Sequence, residues 1–251
     1  MKNHLLALAF TGLLVPGVAF SDTIFGIYAG GGVWSTDVDG DFTFVGVGGN
    51  DEIDLSSDLD LDGENNSVLY VALEHPLPFI PNIKLQRSEM QFEGTTTLSE
   101  KIEFDEVVFP ISEVVDSTID LSHTDASFYY EILDNWVSLD IGLTIRLFDG
   151  EIDISSQSDP TLTDSLDINA PIPMLYGMAR VDLPFTGFSV AAELNTLGVV
   201  SDLTIKAAYE SPFRFGVEAG YRTFSVSLDD IDDLDTSIDI DGVYMGLTLH
   251  I

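Results

Sequence analysis

The chain contains no cysteine. Disulfides, thiolate nucleophiles and cysteine metal sites are therefore excluded, and the fold must rest on packing and hydrogen bonding. Basic residues are nearly as scarce: nine Lys and Arg stand against 43 Asp and Glu, a formal charge of −34. A surface of that sign repels phosphate backbones, so a nucleic-acid partner is excluded. Long apolar runs are missing as well. Past residue 21 no stretch supplies the roughly 18 uninterrupted apolar residues of a spanning helix. P-loop, dinucleotide and zinc-finger spacings are also absent.

What the chain has is alternation. It is 45% hydrophobic and 10% aromatic, enough apolar matter to escape disorder despite its charge. Val137, Leu139, Ile141, Leu143, Ile145 and Leu147 take one parity, while Ser138, Asp140, Gly142, Thr144 and Arg146 take the other. The same period recurs over 126–132, 175–183, 188–194, 203–209 and 213–221, less cleanly over 23–34, 67–75 and 82–92. It closes the chain too, with Met245, Leu247, Leu249 and Ile251 against Tyr244, Gly246, Thr248 and His250. One apolar and one polar face describes a strand between lipid and a polar interior. Over 82–92 the apolar parity changes between Leu85 and Met90, which reads as a bulge near Arg87.

Ten such segments predict an all-β fold, an up-and-down antiparallel transmembrane barrel of ten strands, with eight or twelve as alternatives. An even count places both ends of the barrel on the periplasmic side. Long acidic links at 37–66, 94–122, 149–169 and 227–241 alternate with short ones at 76–81, 134–136, 184–187 and 211–212. Long outer loops and tight periplasmic turns are the asymmetry of such barrels. Alternation continues inside the links, as in Ile53-Asp-Leu55 and Ile238-Asp-Ile-Asp241, so several strands extend past the lipid with water as neighbour. Trp34, Phe79, Trp136, Tyr221 and Phe224 are expected as interface anchors. A basic start, apolar stretches at 5–10 and 13–15 and the small-x-small site Ala19-Phe20-Ser21 describe a signal peptide, residues 1–21. Residues 22–251 form the single barrel domain.

The inward parity predicts a lumen charge network of Glu131, Asp140, Arg146, Arg180, Asp182, Glu193, Lys206, Glu210, Arg214, Glu218 and Arg222. A charge inside a barrel must be paired or solvated, so the lumen is either a salt-bridged plug or a narrow hydrated pore. Two constellations invite chemistry. Asp58-Leu-Asp-Leu-Asp62-Gly63 matches the first half of a calcium loop, but its twelfth position is Leu69, which rejects an EF-hand. Asp58, Asp60 and Asp62 are left as a low-affinity site for calcium or magnesium, and no other cofactor is expected. His123, Ser127 and Glu131 share one face, but four residues along a strand is roughly 13 Å, too far for a nucleophile and its base.

The glycine-rich opening 22–34, the turn 74–82 and the hairpin 129–136 resemble a proteobacterial family known as outer-membrane beta-barrel proteins. Tyr244, Gly246, Leu249 and Ile251 resemble the C-terminal assembly signal of such barrels, departing only in ending on Ile251 where Phe is usual. The resemblance implies the outer membrane as location, with its lipid and lipopolysaccharide as surroundings and the barrel assembly machinery as a partner during biogenesis. It implies no catalytic residue. The expected function is a non-enzymatic envelope protein with a salt-bridged lumen. A small porin or transport barrel is the alternative, and an outer-membrane lipid hydrolase the third reading.

Overall fold

The alternating segments form strands. The computed structural model describes residues 25–44, 52–104, 107–169, 171–231 and 234–251, so the expected signal peptide lies outside the described residues. In chain order the strands are β1 (Gly26–Phe44), β2 (Glu52–Asp54), β3 (Asn65–Glu74), β4 (Asn82–Ser88), β5 (Gln91–Thr97), β6 (Ile102–Phe104) and β7 (Val107–Phe109). Next come β8 (Val114–Asp120), β9 (His123–Asp134), β10 (Val137–Phe148), β11 (Gly150–Ser156) and β12 (Thr163–Ile168). The last five are β13 (Pro171–Asp182), β14 (Phe188–Thr196), β15 (Val200–Glu210), β16 (Phe215–Ile231) and β17 (Leu234–His250).

Ten of them close a barrel in the order β17-β16-β15-β14-β13-β10-β9-β4-β3-β1, and β17 pairs back onto β1. The closing seam runs from Tyr28 opposite His250 to Phe44 opposite Leu234. At its lower end the amides of Ile27 and Ile251 each donate to the other's carbonyl, at 3.0 and 2.9 Å. Closure satisfies the backbone groups that lipid cannot. Outside, Val33, Leu69, Val71, Ile141, Leu143, Ile205, Val217, Met245 and Leu247 are exposed and form the apolar belt. This is the architecture of an integral protein of the bacterial outer membrane.

Above the belt the exterior turns acidic within one or two outward positions. Val33 gives way to Asp37, Asp39 and Asp41 on β1, Val243 to Asp241 and Asp239 on β17, and Leu147 to Asp149 and Glu151 past β10. The interior changes in the opposite sense. Trp34, Val38 and Phe42, then Ile238 and Ile240, are buried on the inward parity. The apolar face thus swaps sides where the chain leaves lipid, because the apolar neighbour moves from outside the wall to inside it. That swap, with no change of parity, accounts for Leu85 and Met90: Leu85 faces lipid, while Met90 and Phe92 are buried inward. Register shifts do occur elsewhere, between Leu139 and Asp140 opposite β9 and between Leu228 and Ile231 opposite β17.

The outer links are more than solvated loops. Strands β5, β8, β11 and β12 form a second sheet in the order β12-β11-β8-β5, each continuing its barrel neighbour β4, β9, β10 or β13 outward. Facing it are the upper halves of β16, β17 and β1 with β2. Between the two lies one apolar core, including Phe42, Ile53, Leu59, Leu61, Phe92, Phe104, Val115, Ile119, Ile154, Phe224 and Ile240. Leu59 and Leu61, from the calcium-loop-like segment, are buried in it. Two expected interface anchors are also placed differently. Trp34 and Phe224 are buried inside, whereas Phe79, Trp136 and Tyr221 are exposed.

Candidate functional site

The lumen directly beneath the outer core holds four charges. The Arg146 Nε and Nη2 groups donate to the two oxygens of Asp125 at 2.8 and 2.7 Å, because register sets these residues opposite each other on β10 and β9. Arg146 Nη2 also reaches across the lumen to Asp202 on β15, at 2.6 Å. Arg222 grips the same carboxylate through Nε and Nη2 at 2.9 and 2.7 Å, and its Nη1 donates to Ser88 at 3.2 Å. Aromatic rings sit against both cations: the Arg222 guanidinium lies 4.6 Å from the Trp34 ring and Arg146 5.5 Å from Phe224. Arg146 is 0% exposed. Two bidentate pairs, joined by the Arg146–Asp202 bond across the lumen, therefore tie separate parts of the wall together in a dry layer.

A second layer lies below. Lys84 pairs with Glu193 across the lumen at 2.5 Å, and Lys206 pairs with Glu218 at 2.8 Å. Tyr244 donates to Glu218 at 2.6 Å, and both lysines lie over the Tyr70 ring. Thr144 links Ser127 to Asn195, at 2.7 and 2.6 Å. The gap left between Tyr70, Lys84, Glu193, Lys206, Arg222 and Tyr244 is about 30 Å³, room for about two waters. Nearer the periplasm, Tyr129 donates to Glu74 at 2.8 Å and Asn82 to Glu131 at 3.1 Å. Asp140 is buried there opposite Glu131, and its Oδ1 has no hydrogen-bond partner among the described residues.

The residues expected in the lumen network thus divide by height. Arg146 and Arg222 join the upper layer, and Glu193, Lys206 and Glu218 the second. Arg180 and Asp182 pair with each other at 2.8 Å, half-exposed near the periplasmic mouth. Glu210 faces His250 at 3.5 Å, and Glu131 is exposed. Arg214 is not in the lumen: it sits exposed in the β15–β16 turn with φ of 65°. The turn takes it out of the inward row that its parity suggested. Asp125, Asp202 and Lys84, which complete the cross-links, are absent from the expected network. Asp125 shares the inward parity of Tyr129 and was legible; Asp202 precedes the cleanest part of its strand.

The His123 Nδ1 donates to the Leu121 carbonyl at 2.9 Å, and the Ser127 hydroxyl bonds to Thr144, so neither engages the other as base and nucleophile. Among the described residues the trio of potential metal ligands within 4.8 Å of one another is His123, Asp125 and Asp202. A metal ion there would meet Arg146 and Arg222, which already occupy both carboxylates, so the donor set does not fit one. Asp58, Asp60 and Asp62 are not drawn together: Asp58 accepts the Asp54 amide at 2.9 Å, and Asp60 and Asp62 are exposed. In the outer sandwich, Ser156 and Ser158 hold the Glu113 carboxyl below its ordinary value. Thr95 and Gln157 do the same for Asp116.

No protein-family description and no curated protein matches the chain. Solved structures similar to it include bacterial outer-membrane β-barrels. Ail, the attachment invasion locus protein of Yersinia pestis, is 11% identical over 91% of this chain and 100% of its own, with a TM-score of 0.36. The outer membrane protease OmpT from Escherichia coli is 10% identical over 93% and 99%, with a TM-score of 0.46. The Ralstonia pickettii toluene transporter TbuX is 10% identical over 91% and 64%, with a TM-score of 0.36. The likeness is one of architecture.

Proposed function

We propose that this protein is a non-conducting, non-enzymatic component of the outer membrane, with a structural lumen and a working surface on its outward sandwich. The observation that carries the reading is the chain Asp125–Arg146–Asp202–Arg222 under an apolar core, in which the Arg146–Asp202 pair crosses the lumen and joins two neighbouring-strand pairs. A conducting pore keeps its charges wet so that ions exchange hydration for them. Here Asp125 and Asp202 take up Arg146 and Arg222 instead, and among the described residues only Arg146 Nη1 of the two guanidinium groups is left without a partner. Outer-membrane lipid and lipopolysaccharide surround the belt, and the terminal strand with Tyr244, Gly246, Leu249 and Ile251 is the segment the assembly machinery engages. Vesicles containing the purified protein should not swell in an isotonic solution of a small sugar. Swelling at a rate that scales with protein content would sink the reading.

A further inference from the structure

The outward sandwich has one incomplete side. Strand β12 hydrogen-bonds to β11 and ends its sheet, while β16 is the facing edge above Val226. Between them in the barrel wall stand β14 and β15, which stop at Thr196 and Val200 and do not continue upward. Among the described residues the wall therefore lacks two strand positions at this height, a span of about 14 Å at ~4.8 Å per strand. Leu166, Ile168, Ile172 and Val226 line that side, partly buried against the core.

The backbone of β12 is oriented for an additional neighbour. The Ser156 amide donates to the Leu162 carbonyl at 2.8 Å, so the ladder to β11 uses 164, 166 and 168. Thr163, Ser165 and Asp167 then direct their amides and carbonyls away from the sheet. In keeping with this, the Ser165 amide takes the Asp164 side chain at 2.9 Å and not a strand. The side chains specify the neighbour's character. No Lys or Arg occurs in β5, β8, β11 or β12, which together carry seven carboxylates. Register lines up Gln91, Asp120, Glu151 and Asp167 as one row across all four strands, ending at the free edge. Like charges directly opposed destabilise a sheet, and a cation beside Asp167 would relieve the row. Burial and the neighbouring Glu151 and Asp164 push the Asp153 carboxyl up, which marks the same crowding.

We propose that the free edge of β12 receives an extended peptide from outside the cell, added as a further strand, with basic residues on its outer face and apolar ones inward. Lys or Arg lies beside Asp167 and continues the charged row. Apolar side chains lie beside Leu166 and Ile168 and finish the core. Main-chain bonds supply affinity and the alternate side chains supply selectivity, as in other strand additions. The inference rests on the outward sandwich being the working surface, and it is independent of whether the lumen conducts.

The test uses the full chain in detergent micelles and a fluorescent alternating Lys-Val peptide of about eight residues, a typical strand length or a little more. An alternating Glu-Val peptide and a Lys-Val peptide interrupted by proline serve as controls. The key variant is Ser165→Pro, which removes an outward amide that β11 does not use. Anisotropy at physiological salt should show Lys-Val binding, little Glu-Val binding, and at least a tenfold weaker Kd for Ser165→Pro and for the interrupted peptide. Heat-modifiable migration of Ser165→Pro should match wild type, and Asp167→Lys should also weaken binding. Equal binding of Ser165→Pro, or of the interrupted peptide, would mean attraction to an acidic surface alone and overturn the proposal. A wild-type dimer that Ser165→Pro converts to monomer would assign the edge to a second copy and overturn it too. Vesicle swelling reports on the lumen and this titration on the edge, so either can fail alone.

Discussion

Replacing Arg146 with Met removes the cation that holds both Asp125 and Asp202. Met keeps most of the side-chain volume, so the packing loss is small and the electrostatic loss dominates. Asp202 retains both bonds from Arg222, but Asp125, 2% exposed, loses its bidentate partner. Removing one member of a buried pair costs about 3–5 kcal/mol, because the other charge stays buried. A solvated pair of the same chemistry is worth roughly 0–1 kcal/mol. Denaturant unfolding in lipid vesicles, followed by tryptophan emission, reads the difference. Trp34 is 0% exposed, under Arg222, and reports the layer directly. Adding Asp125→Leu to Arg146→Met should restore a large part of the loss, because no unpaired charge remains on that wall. A loss below about 1 kcal/mol for Arg146→Met would place these charges in water and refute the dry layer.

Four further outcomes follow from the same geometry. A side chain at Gly94 would collide with the carbonyls of Leu59 and Asp60, so Gly94→Val should release the 55–64 segment and expose it to protease while the barrel stays heat-modifiable. Glu113 and Asp116 have carboxyls held below their ordinary values of 4.5 and 3.8. Their contribution is complete above those values and is lost as pH falls through the lowered ones, so pepsin should cut the sandwich increasingly below about pH 4 with the barrel intact. Asp58, Asp60 and Asp62 form no common site, so calcium, magnesium and sodium at matched ionic strength should slow loop proteolysis equally. Extra protection by the divalent ions would restore a metal role there. Arg214, exposed in its turn, should tolerate Ala with a stability change within about 0.5 kcal/mol by the same vesicle unfolding assay.

The barrel was legible because lipid imposes a strict rule. Every second residue must be apolar for as long as the wall faces hydrocarbon, and 137–147 or 243–251 display that rule without competition. Closure followed from an even strand count and short lower turns. The outward sandwich was harder to read. Its strands carry the same alternation, but Asp occupies the parity that lipid held below. In 37–42 or 236–241 an acidic outer row looks like a solvated loop until the facing sheet is known. The supposed bulge near Arg87 had the same origin, since Leu85 and Met90 are apolar toward different neighbours. The lumen was legible by parity and illegible by pairing. Arg146 points inward from its strand alone, whereas its bond to Asp202 depends on the registers of β10, β13, β14 and β15 together. Arg214 was misplaced because parity does not survive a turn.

A lumen that is a closed structural core carries no ionic current. Recording from the purified wild-type protein in a planar bilayer tests this most directly. The membrane should stay silent at all moderate voltages, with steps emerging only when the upper layer is opened by replacing Arg146 and Arg222 with Ala together. Stable, reproducible openings of the wild-type protein, with ion selectivity that changes on neutralising Arg146, would contradict it.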